Sequence, residues 1–323
     1  MAMQFGEVDG VGKRVSRLVL GTIVLDPASP EETFGLLDAA FELGYNAFDT
    51  AHVYGAERER AFGRWVAERK VRDRVVILGK GAHPGKGGGR LAPEHVRSDL
   101  QESLERMGTD YVDIYLLHRD DPSVPVGPVV EALNELHEAG LIGAFGGSNW
   151  TWERIREANQ YSDAHGLRPF SASSPNFSLA EQIGEAWGGC IGIGGPSKAG
   201  ARAWYRRTGM PVFAWSSLAR GFLSGRLTSE NYDEIKETLD GACVRGFCYE
   251  PNFRRLDRAH ELAAEKGVSV PRIALAFILN QGLNVFPLVG CRNRRELADD
   301  LGAFGLELTP EEAAWLDLQS EER

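Results

Sequence analysis

Residues 44–55 read GYNAFDTAHVYG, an apolar run that is followed first by an acid and then by a phenol. Two further apolar runs end in the same way: residues 75–79 lead to Lys80, and residues 113–117 lead to His118. Buried parallel strands read as continuous apolar runs, and in α/β barrels the chemistry gathers beyond their carboxyl ends. The side chains expected to lie close together are Asp49, Tyr54, Lys80 and His118.

Such a cluster would serve as a proton donor to a carbonyl group. A tyrosine ordinarily loses its proton near pH 10, and a neighbouring cation lowers that pKa by stabilising the phenolate. Lys80 would supply the cation, Asp49 would hold it in place, and His118 would donate a hydrogen bond to the oxygen on which charge develops. Each residue alone also has an ordinary structural explanation, but their arrival at successive strand ends favours a site.

These motifs resemble those of a known family. The run FDTA at residues 48–51, Tyr54 with Gly55, Lys80, LLH at residues 116–118 and GSN at residues 147–149 are similar to the aldo-keto reductases, and the likeness covers nearly the whole chain. The resemblance implies a (β/α)8 TIM barrel, a nicotinamide cofactor bound without a Rossmann domain, and a catalytic tyrosine with aspartate, lysine and histidine partners. The matching positions are Asp49, Tyr54, Lys80 and His118.

The composition is compatible with a single barrel domain over residues 1–323. A chain of 323 residues with 43% hydrophobic content can bury a sizeable core, and such barrels commonly form one domain of about 250 residues plus insertions. The expected fold is an α/β barrel with an N-terminal hairpin from residues 3–5 and 8–11, and with long loops at the carboxyl face of the strands. The barrel strands are expected at residues 14–22, around 48, and at 75–79, 113–117, 143–149, 169–174 and 285–290. The seventh strand and the turn that follows it are expected within residues 211–221.

Charge and cysteine content limit the partners. The net charge of −10 argues against a general attraction to nucleic acid or anionic lipid, so a small-molecule carbonyl or sugar substrate is expected. Four cysteines without a CxxC spacing predict neither a zinc site nor a disulfide scaffold and fit a cytoplasmic protein. We expect no metal, no signal peptide and no membrane span, and the sequence leaves the oligomeric state open.

Two glycine-rich segments lie between the expected strands. Residues 81–90 are basic and match no phosphate-loop motif, which favours a solvated loop over a binding element. Residues 181–209 are expected to form a shaped surface loop that lines the substrate pocket. In the loop that follows His118, the acids could contact substrate hydroxyls or could equally be solvated.

The resemblance also implies cofactor contacts at the later strand ends. Ser148 and Asn149 match positions that hydrogen-bond the nicotinamide carboxamide, although a helix N-cap is an alternative role. Ser174 stands where many members have a glutamine, and Trp215 is the candidate to stack on the nicotinamide. The cofactor-contact candidates are Thr22, Ser148, Asn149, Ser174, Trp215, Ser216, Ser217, Leu218, Arg220, Gly221, Gly290, Arg292, Glu296, Asp299 and Asp300.

The choice of dinucleotide depends on residues 290–296. Many members carry a lysine and an arginine that hold the 2′-phosphate of NADPH, but Gly290 and Glu296 are the closest positions here. Glu296 would repel that phosphate and could accept hydrogen bonds from the ribose of NADH. Any one of Arg292, Arg294 and Arg295 could instead form a bidentate pair with the phosphate, and Arg292 is the first choice because it follows the strand most directly. We expect NADPH as the preferred cofactor, with usable NADH activity.

Three functions follow from these observations. The first is an NAD(P)H-dependent oxidoreductase that transfers hydride between the nicotinamide and a carbonyl or alcohol substrate, such as an aldehyde, a ketone or a sugar. The second is a non-catalytic, redox-sensing regulatory subunit of the same fold that binds the cofactor. The third is a phosphosugar isomerase on the same barrel, which would be active with no dinucleotide present.

Overall fold

The structure is a computed structural model that describes residues 1–323. Strands β3 to β10 are parallel and form a closed barrel, and β1 pairs with β2 in a separate antiparallel hairpin. The (β/α)8 architecture expected from the sequence is confirmed. The strands are β1 Phe5–Gly6, β2 Val15–Ser16, β3 Val19–Gly21, β4 Ala47–Asp49, β5 Val76–Gly81, β6 Val112–Leu117, β7 Ile142–Ser148, β8 Ala172–Ser174, β9 Val212–Ala214 and β10 Val285–Val289.

The helices alternate with the strands along most of the chain. They are α1 Pro30–Glu42, α2 Ala56–Arg69, α3 Pro93–Met107, α4 Val126–Glu138, α5 Trp152–His165, α6 Ala199–Thr208, α7 Tyr232–Ile235, α8 Gly241–Phe247, α9 Glu250–Lys266, α10 Val270–Leu279, α11 Arg294–Asp300 and α12 Pro310–Leu316. Short 3-10 helices occupy Thr22–Val24, His52–Tyr54, Pro196–Lys198, Ala219–Gly221, Lys236–Thr238 and Leu301–Gly305. None of the helices has the length and apolar composition that crossing a membrane requires.

The chain divides into two compact units. The first unit comprises Gln4–Ser174 with Gly290–Arg294, and the second comprises Met1–Met3, Pro175–Val289 and Arg295–Arg323. The first unit therefore contains β1 to β8, and the second contains β9 and β10. All four residues expected to form the catalytic cluster belong to the first unit.

In the first unit, the central strands are buried along their whole length. Every residue of β5 and of β6 is buried, and the parallel register pairs Lys80 with Leu116. Burial on both faces explains why these strands read as uninterrupted apolar runs in the sequence. Each apolar run ends where its strand leaves the core. Lys80 and His118 therefore lie at the carboxyl ends of the neighbouring strands β5 and β6.

The amino ends of the same strands are held by a buried carboxylate. Asp113, which is 4% exposed, accepts hydrogen bonds from Lys13 Nζ at 2.7 Å, Arg72 Nη1 at 3.0 Å and the backbone N–H of Ile77 at 2.9 Å. Two cations and an amide satisfy a charge that would be costly to bury alone. This cluster fixes the ends of β5 and β6 that lie opposite the catalytic candidates.

Helix ends follow the start and stop signals in the sequence. Pro30 and Pro93 each open a helix at its first turn, where a missing N–H costs nothing. Thr151 caps α5 by accepting a hydrogen bond from the N–H of Arg154, and Gly166 ends that helix in the left-handed conformation. These local signals explain where these helices of the first unit begin and end.

The second unit has its own apolar packing. Phe213 of β9 stacks on Phe286 of β10 with ring centroids 4.8 Å apart, and α10 is almost entirely buried. Arg255 of α9 is 2% exposed and binds Asp317 Oδ1 at 3.1 Å, which ties α9 to the segment after α12. An aromatic stack and a paired buried charge therefore stabilise this part of the chain.

The expected pairing of the N-terminal hairpin is wrong. Residues 8–11 were expected as the second strand, but β1 pairs instead with β2, in the register Phe5 with Ser16. Residues 8–11 form a tight turn in which the N–H of Val11 donates to the carbonyl of Val8, and Gly10 has φ +87°. A turn of this kind cannot extend into a strand, so the partner strand lies further along the chain.

The first barrel strand is shorter than expected. The sequence predicted one strand over residues 14–22, whereas the chain forms β2 and β3 with a break after Ser16. The Ser16 hydroxyl donates to the carbonyl of Leu18 at 2.8 Å, and this local bond bends the backbone. The first half of the expected strand therefore belongs to the hairpin rather than to the barrel.

The segment 181–209 is not the uniform surface loop that was expected. Its last part forms α6, whose buried face includes Arg202, Trp204 and Tyr205, and Gly209 ends the helix with φ +66°. The glycine-rich run before it obscured the helical spacing of these residues. Only the part before Pro196 lacks regular secondary structure.

A glycine substitution would test the strand contacts of the first unit. A Cβ on Gly146 would lie 1.8 Å from the carbonyl oxygen of Ala172, so β7 and β8 could not keep their present separation. We expect Gly146→Ala to lower the free energy of unfolding by about 2 kcal/mol or more, as overpacking commonly does.

The matched control is Gly35→Ala in α1, where a Cβ meets nothing within 4 Å. This change should leave stability unchanged or raise it by up to about 1 kcal/mol, because alanine favours a helix. Urea denaturation of both variants measures the difference. Equal stability of the two variants would contradict the close approach of β7 and β8.

Candidate active site

A buried ion pair lies at the ends of β4 and β5. Lys80 Nζ contacts Asp49 Oδ1, and the two side chains are 2% and 3% exposed. Asp49 is the last residue of β4, and Lys80 is the next-to-last residue of β5. Neither charge has access to bulk water, so each depends on the other for its stabilisation.

Tyr54 lies beside this pair. The 3-10 helix that follows β4 carries Tyr54 back over the strand end, and its hydroxyl donates to Asp49 Oδ2 across a long 3.4 Å. Lys80 Nζ lies 5.5 Å from the centroid of the phenol ring. Arg58 Nη1 donates to the carbonyl of Tyr54 at 3.0 Å and fixes its backbone. The phenol is half-buried, with a carboxylate and an ammonium as its charged neighbours.

His118 completes the group of four. Its ring centroid lies 6.1 Å from that of Tyr54, with the rings edge to face at 79°. Neither ring nitrogen of His118 makes a hydrogen bond within the protein. They differ in exposure: Nδ1 is buried, and Nε2 is accessible. A buried N–H without an acceptor costs more than a bare lone pair, so the network assigns the proton to Nε2. A neutral His118 therefore presents an N–H donor to the open side of the group.

Burial and a second cation shift the pKa values of this group. Arg119, 7% exposed, donates to the carbonyl of His118 at 2.8 Å. Burial lowers the pKa of Lys80, and the positive charge of Arg119 adds to that effect while Asp49 opposes it. Burial raises the pKa of Asp49, with partial compensation from Lys80. The pKa of His118 lies well below 6.5, first because of burial and then because of Lys80 and Arg119.

The cofactor candidates of the first unit lie at the ends of β3, β7 and β8. The Ser148 hydroxyl donates to the carbonyl of Ser174 at 3.0 Å, and Asn149 Nδ2 donates to the carbonyl of His118 at 3.2 Å. Asn149 has φ +59°, a strained conformation for a residue other than glycine. The hydroxyl of Thr22 is buried without a partner. The structure thus joins Ser148, Asn149 and Ser174 into one network with His118.

In the second unit, further candidates follow β9. Trp215 is half-buried, and its ring lies 5.9 Å from that of Trp187 at an angle of 59°. The Ser217 hydroxyl donates to the carbonyls of Ala214 and Leu288, so it caps strand ends. Arg220 forms an ion pair with Asp240 at 2.6 Å. Arg220 lies in a 3-10 helix that begins after Leu218 and ends at Gly221. The backbone is left-handed at two candidates of this segment, with φ +52° at Ser216 and φ +96° at Gly221.

The remaining candidates follow β10 and differ in their surroundings. Gly290, Arg292 and Glu296 are exposed. Asp299 binds Arg272 at 2.8 Å and also accepts a hydrogen bond from the Ser269 hydroxyl, so its carboxylate is engaged within the protein. Asp300 is 3% exposed. Arg292 is therefore the candidate of this segment with an exposed cationic side chain.

Three residues with unusual surroundings were missed by the sequence analysis. His83 lies edge-on against His118, with ring centroids 5.0 Å apart. Asn176 is 1% exposed, and its Oδ1 is buried without a donor. Arg119 is the buried cation described above. The only sequence signal for each was its position just after a strand-end candidate: Lys80, Ser174 and His118 respectively.

The low pKa of His118 has a consequence for stability. In the unfolded chain, His118 takes up a proton near its usual pKa of 6.5, whereas the folded protein resists protonation to much lower pH. The unfolded state therefore binds more protons below pH 6.5, and the free energy of unfolding falls as pH falls. Below pH 6, we expect the free energy of unfolding of the wild type to fall by up to about 1.4 kcal/mol per pH unit because of His118. This contribution should be absent in His118→Asn.

Chemical denaturation of wild type and His118→Asn at a series of pH values between 7 and 5 measures the effect. The wild-type curve should fall more steeply than that of the variant. Parallel curves would show that His118 is not held neutral by its surroundings.

Comparison with known proteins identifies the family of this chain. The sequence model of the Aldo/keto reductase family matches residues 17–320. A probable aryl-alcohol dehydrogenase of Saccharomyces cerevisiae is 29% identical over 299 residues, which cover 89% of this chain and 87% of the relative. The norsolorinic acid reductase of Emericella nidulans is 28% identical over 322 residues, which cover 93% of this chain and 77% of the relative.

Solved structures agree on the fold. The crystal structure of a thermostable aldo-keto reductase in complex with the inhibitor epalrestat superimposes with a TM-score of 0.73 at 23% sequence identity, covering 98% of this chain and all of the other. At that identity, the similarity establishes the barrel alone. The family match over residues 17–320 shows that the chain belongs to the aldo/keto reductase family of NAD(P)H-dependent oxidoreductases.

Proposed function

We propose that this enzyme transfers hydride between a nicotinamide cofactor and a carbonyl or alcohol substrate, with Tyr54 as the proton donor in reduction. The observation that carries the proposal is the buried Asp49–Lys80 pair with the Tyr54 hydroxyl on its carboxylate. A buried pair of this kind could serve stability alone, but here a half-exposed phenol and an accessible imidazole N–H accompany it. These are the donors that reduction of a carbonyl requires.

Each of the four side chains has a distinct role in the proposed proton transfer. The Tyr54 hydroxyl gives its proton to the carbonyl oxygen, and the Lys80 ammonium stabilises the phenolate that remains. Asp49 holds the ammonium and accepts the hydroxyl hydrogen bond before reaction. His118 donates its Nε2–H to the same carbonyl oxygen and so orients the substrate. When bound, the reduced nicotinamide supplies the hydride to the carbonyl carbon.

One orphaned polar atom fits the nicotinamide carboxamide. Asn176 Nδ2 donates to the carbonyl of Trp215 at 3.0 Å, but its buried Oδ1 receives no hydrogen bond. A buried acceptor without a donor is costly, and an amide N–H would relieve that cost. Asn176 therefore supports the proposal as a contact for the carboxamide, two residues beyond the position where many members have a glutamine.

The remaining cofactor contacts are proposals of the same kind. In the first unit, Ser148 and Asn149 offer polar groups beside His118. In the second unit, Trp215 offers a half-exposed indole face. We propose NADPH as the preferred cofactor because Arg292 presents an exposed cationic side chain three residues after the end of β10.

Aromatic carbonyl compounds are the substrate class with the most support. The similar proteins include one named as a probable aryl-alcohol dehydrogenase and one named as a norsolorinic acid reductase. In this chain, Trp187 is 39% exposed and packs against Trp215, and the guanidinium of Arg220 lies 5.2 Å from the centroid of the Trp187 ring. Two partly exposed indoles are side chains suited to contact a flat ring. A cytoplasmic enzyme that interconverts aryl aldehydes or ketones and their alcohols is the resulting proposal.

Replacement of the phenol hydroxyl tests the catalytic assignment. We expect Tyr54→Phe to lower kcat for reduction of benzaldehyde with NADPH by about 10² to 10⁴-fold, because only the proton donor is removed. The dissociation constant for NADPH should stay near the wild-type value. Stopped-flow absorbance of the reduced nicotinamide gives the rate of the chemical step.

The control is Tyr161→Phe in α5, which removes a hydroxyl that donates to the exposed Glu131 of α4. That variant should reduce benzaldehyde at the wild-type rate. If Tyr54→Phe retained more than about a third of wild-type turnover with chemistry rate-limiting, Tyr54 would not be the proton donor. A wild type that binds NADPH but reduces no carbonyl would instead favour the regulatory-subunit function.

Removal of one arginine tests the dinucleotide preference. We expect Arg292→Ala to weaken NADPH binding by roughly 1.5 to 3 kcal/mol, the usual worth of a charge-assisted hydrogen bond, while NADH binding barely changes. Fluorescence titration of both cofactors gives the four dissociation constants.

Arg294→Ala is the matched control, because its guanidinium is already paired with Glu42. It should change the affinities for NADPH and NADH equally. Equal losses for the two cofactors in Arg292→Ala would remove Arg292 as the reader of the 2′-phosphate. Tighter binding of NADH than of NADPH by the wild type would mean that Glu296 sets the choice.

A further inference from the structure

A second imidazole stands beside the four proposed catalytic side chains. The ring of His83 contacts the ring of His118 edge to face, at 5.0 Å between centroids and an angle of 79°. The ring of His118 makes a similar edge contact with Tyr54 at 6.1 Å. Three rings thus follow one another in the order Tyr54, His118 and His83. His83 is therefore the ring that follows His118 beyond the proposed position of the carbonyl oxygen.

The hydrogen bonds of His83 decide which of its ring atoms is available. Nδ1 lies 2.9 Å from the carbonyl oxygen of Pro84, and a carbonyl can only accept, so Nδ1 carries a proton. Nε2 makes no hydrogen bond within the protein and is accessible. In the neutral ring, Nε2 is therefore a lone-pair acceptor. Burial lowers the pKa of His83, which keeps the ring in this neutral form at pH 7.

The backbone that carries His83 is held in an unusual conformation. Ala82 has φ +59°, a left-handed conformation that an alanine adopts at a cost of about 1 kcal/mol. Its N–H donates to Asp99 Oδ2 at 2.8 Å, and Asp99 is in turn bound by Arg90. Strain that is stabilised by a buried carboxylate is typical of functional positions. The left-handed turn at Ala82 directly precedes His83, which packs against His118 three residues after Lys80.

We infer that His83 is a specificity residue that accepts a hydrogen bond, through Nε2, from a hydroxyl group on the carbon next to the reacting carbonyl. The inference rests on the proposed function, because it places the carbonyl oxygen at Tyr54 and His118. His118 and His83 have opposite roles in it: His118 donates to the carbonyl oxygen, and His83 accepts from the neighbouring hydroxyl. The preferred substrates are therefore α-hydroxy carbonyl compounds, or 1,2-diols in the oxidative direction.

A pair of ketones that differ in one hydroxyl tests this role. The probes are 2-hydroxy-1-phenylethanone and 1-phenylethanone, and the measured quantity is the ratio of their kcat/KM values with NADPH. Because any intrinsic difference in reactivity is the same for every variant, only the change in this ratio reports on the hydroxyl contact. We expect His83→Phe, which keeps a ring but lacks the acceptor, to lower the ratio by about 3- to 10-fold.

Two variants serve as controls. His83→Gln places an amide oxygen near the position of Nε2 and should restore most of the ratio. His165→Phe changes an exposed histidine on α5 and should leave the ratio at the wild-type value. An unchanged ratio in His83→Phe would overturn the inference. A ratio lowered equally by the Gln and Phe variants would also overturn it, because packing rather than the acceptor would then be responsible.

A binding measurement separates failure of this inference from failure of the proposed function. If the wild type reduces neither ketone, the proposed function fails. NMR titration of the wild type with 1-phenyl-1,2-ethanediol and 1-phenylethanol, in the presence of NADP⁺, still tests His83. Tighter binding of the diol that disappears in His83→Phe supports the role, and equal affinities for the two alcohols in the wild type overturn it.

Discussion

The contact between Asp49 and Lys80 is the interaction on which the candidate site depends. Two opposite charges at most 3% exposed stabilise each other, and removal of one partner from such a pair commonly costs about 3–5 kcal/mol. The pair also connects two neighbouring strands, since Asp49 ends β4 and Lys80 lies at the end of β5. A shift of one residue in the register of these strands would turn Lys80 to the other face of the sheet. The packing of the barrel and the electrostatics of the site are therefore specified together.

Arg119 adds a second cation to this arrangement. It lowers the pKa values of Lys80, His83 and His118, although in each case burial is the larger cause. Burial and Arg119 together favour the neutral form of both rings. In that form, Nε2 of His118 is a hydrogen-bond donor, and Nε2 of His83 is an acceptor because Nδ1 of His83 donates to the carbonyl of Pro84. A group with two neutral imidazoles beside two cations can distinguish donors from acceptors on a ligand in a way that charged imidazoles could not.

The barrel was predictable from the sequence because buried parallel strands and capped helices leave clear patterns. The apolar runs before Lys80 and His118 carried that information. The hairpin partner and α6 were not predictable, since a local turn at Gly10 and a glycine-rich preceding segment altered the apparent pattern. His83 and Asn176 were missed for another reason: their significance comes from an edge contact and an unpaired buried oxygen, and both exist only once the chain has folded. The roles assigned to the four strand-end residues stay predictions from the family resemblance.

The loop after β5 is closed at its base and open at its tip. Asp99 binds both the N–H of Ala82 and the side chain of Arg90, while the exposed tip is held only by two backbone hydrogen bonds between Gly85 and Gly88. The conformation of Ala82, and with it the direction of His83, therefore does not depend on the residues at the tip. Changes of length or composition within residues 85–88 would therefore leave His83 and Lys80 in place. In this respect the barrel separates the part of the chain that can diversify from the part that must keep its geometry.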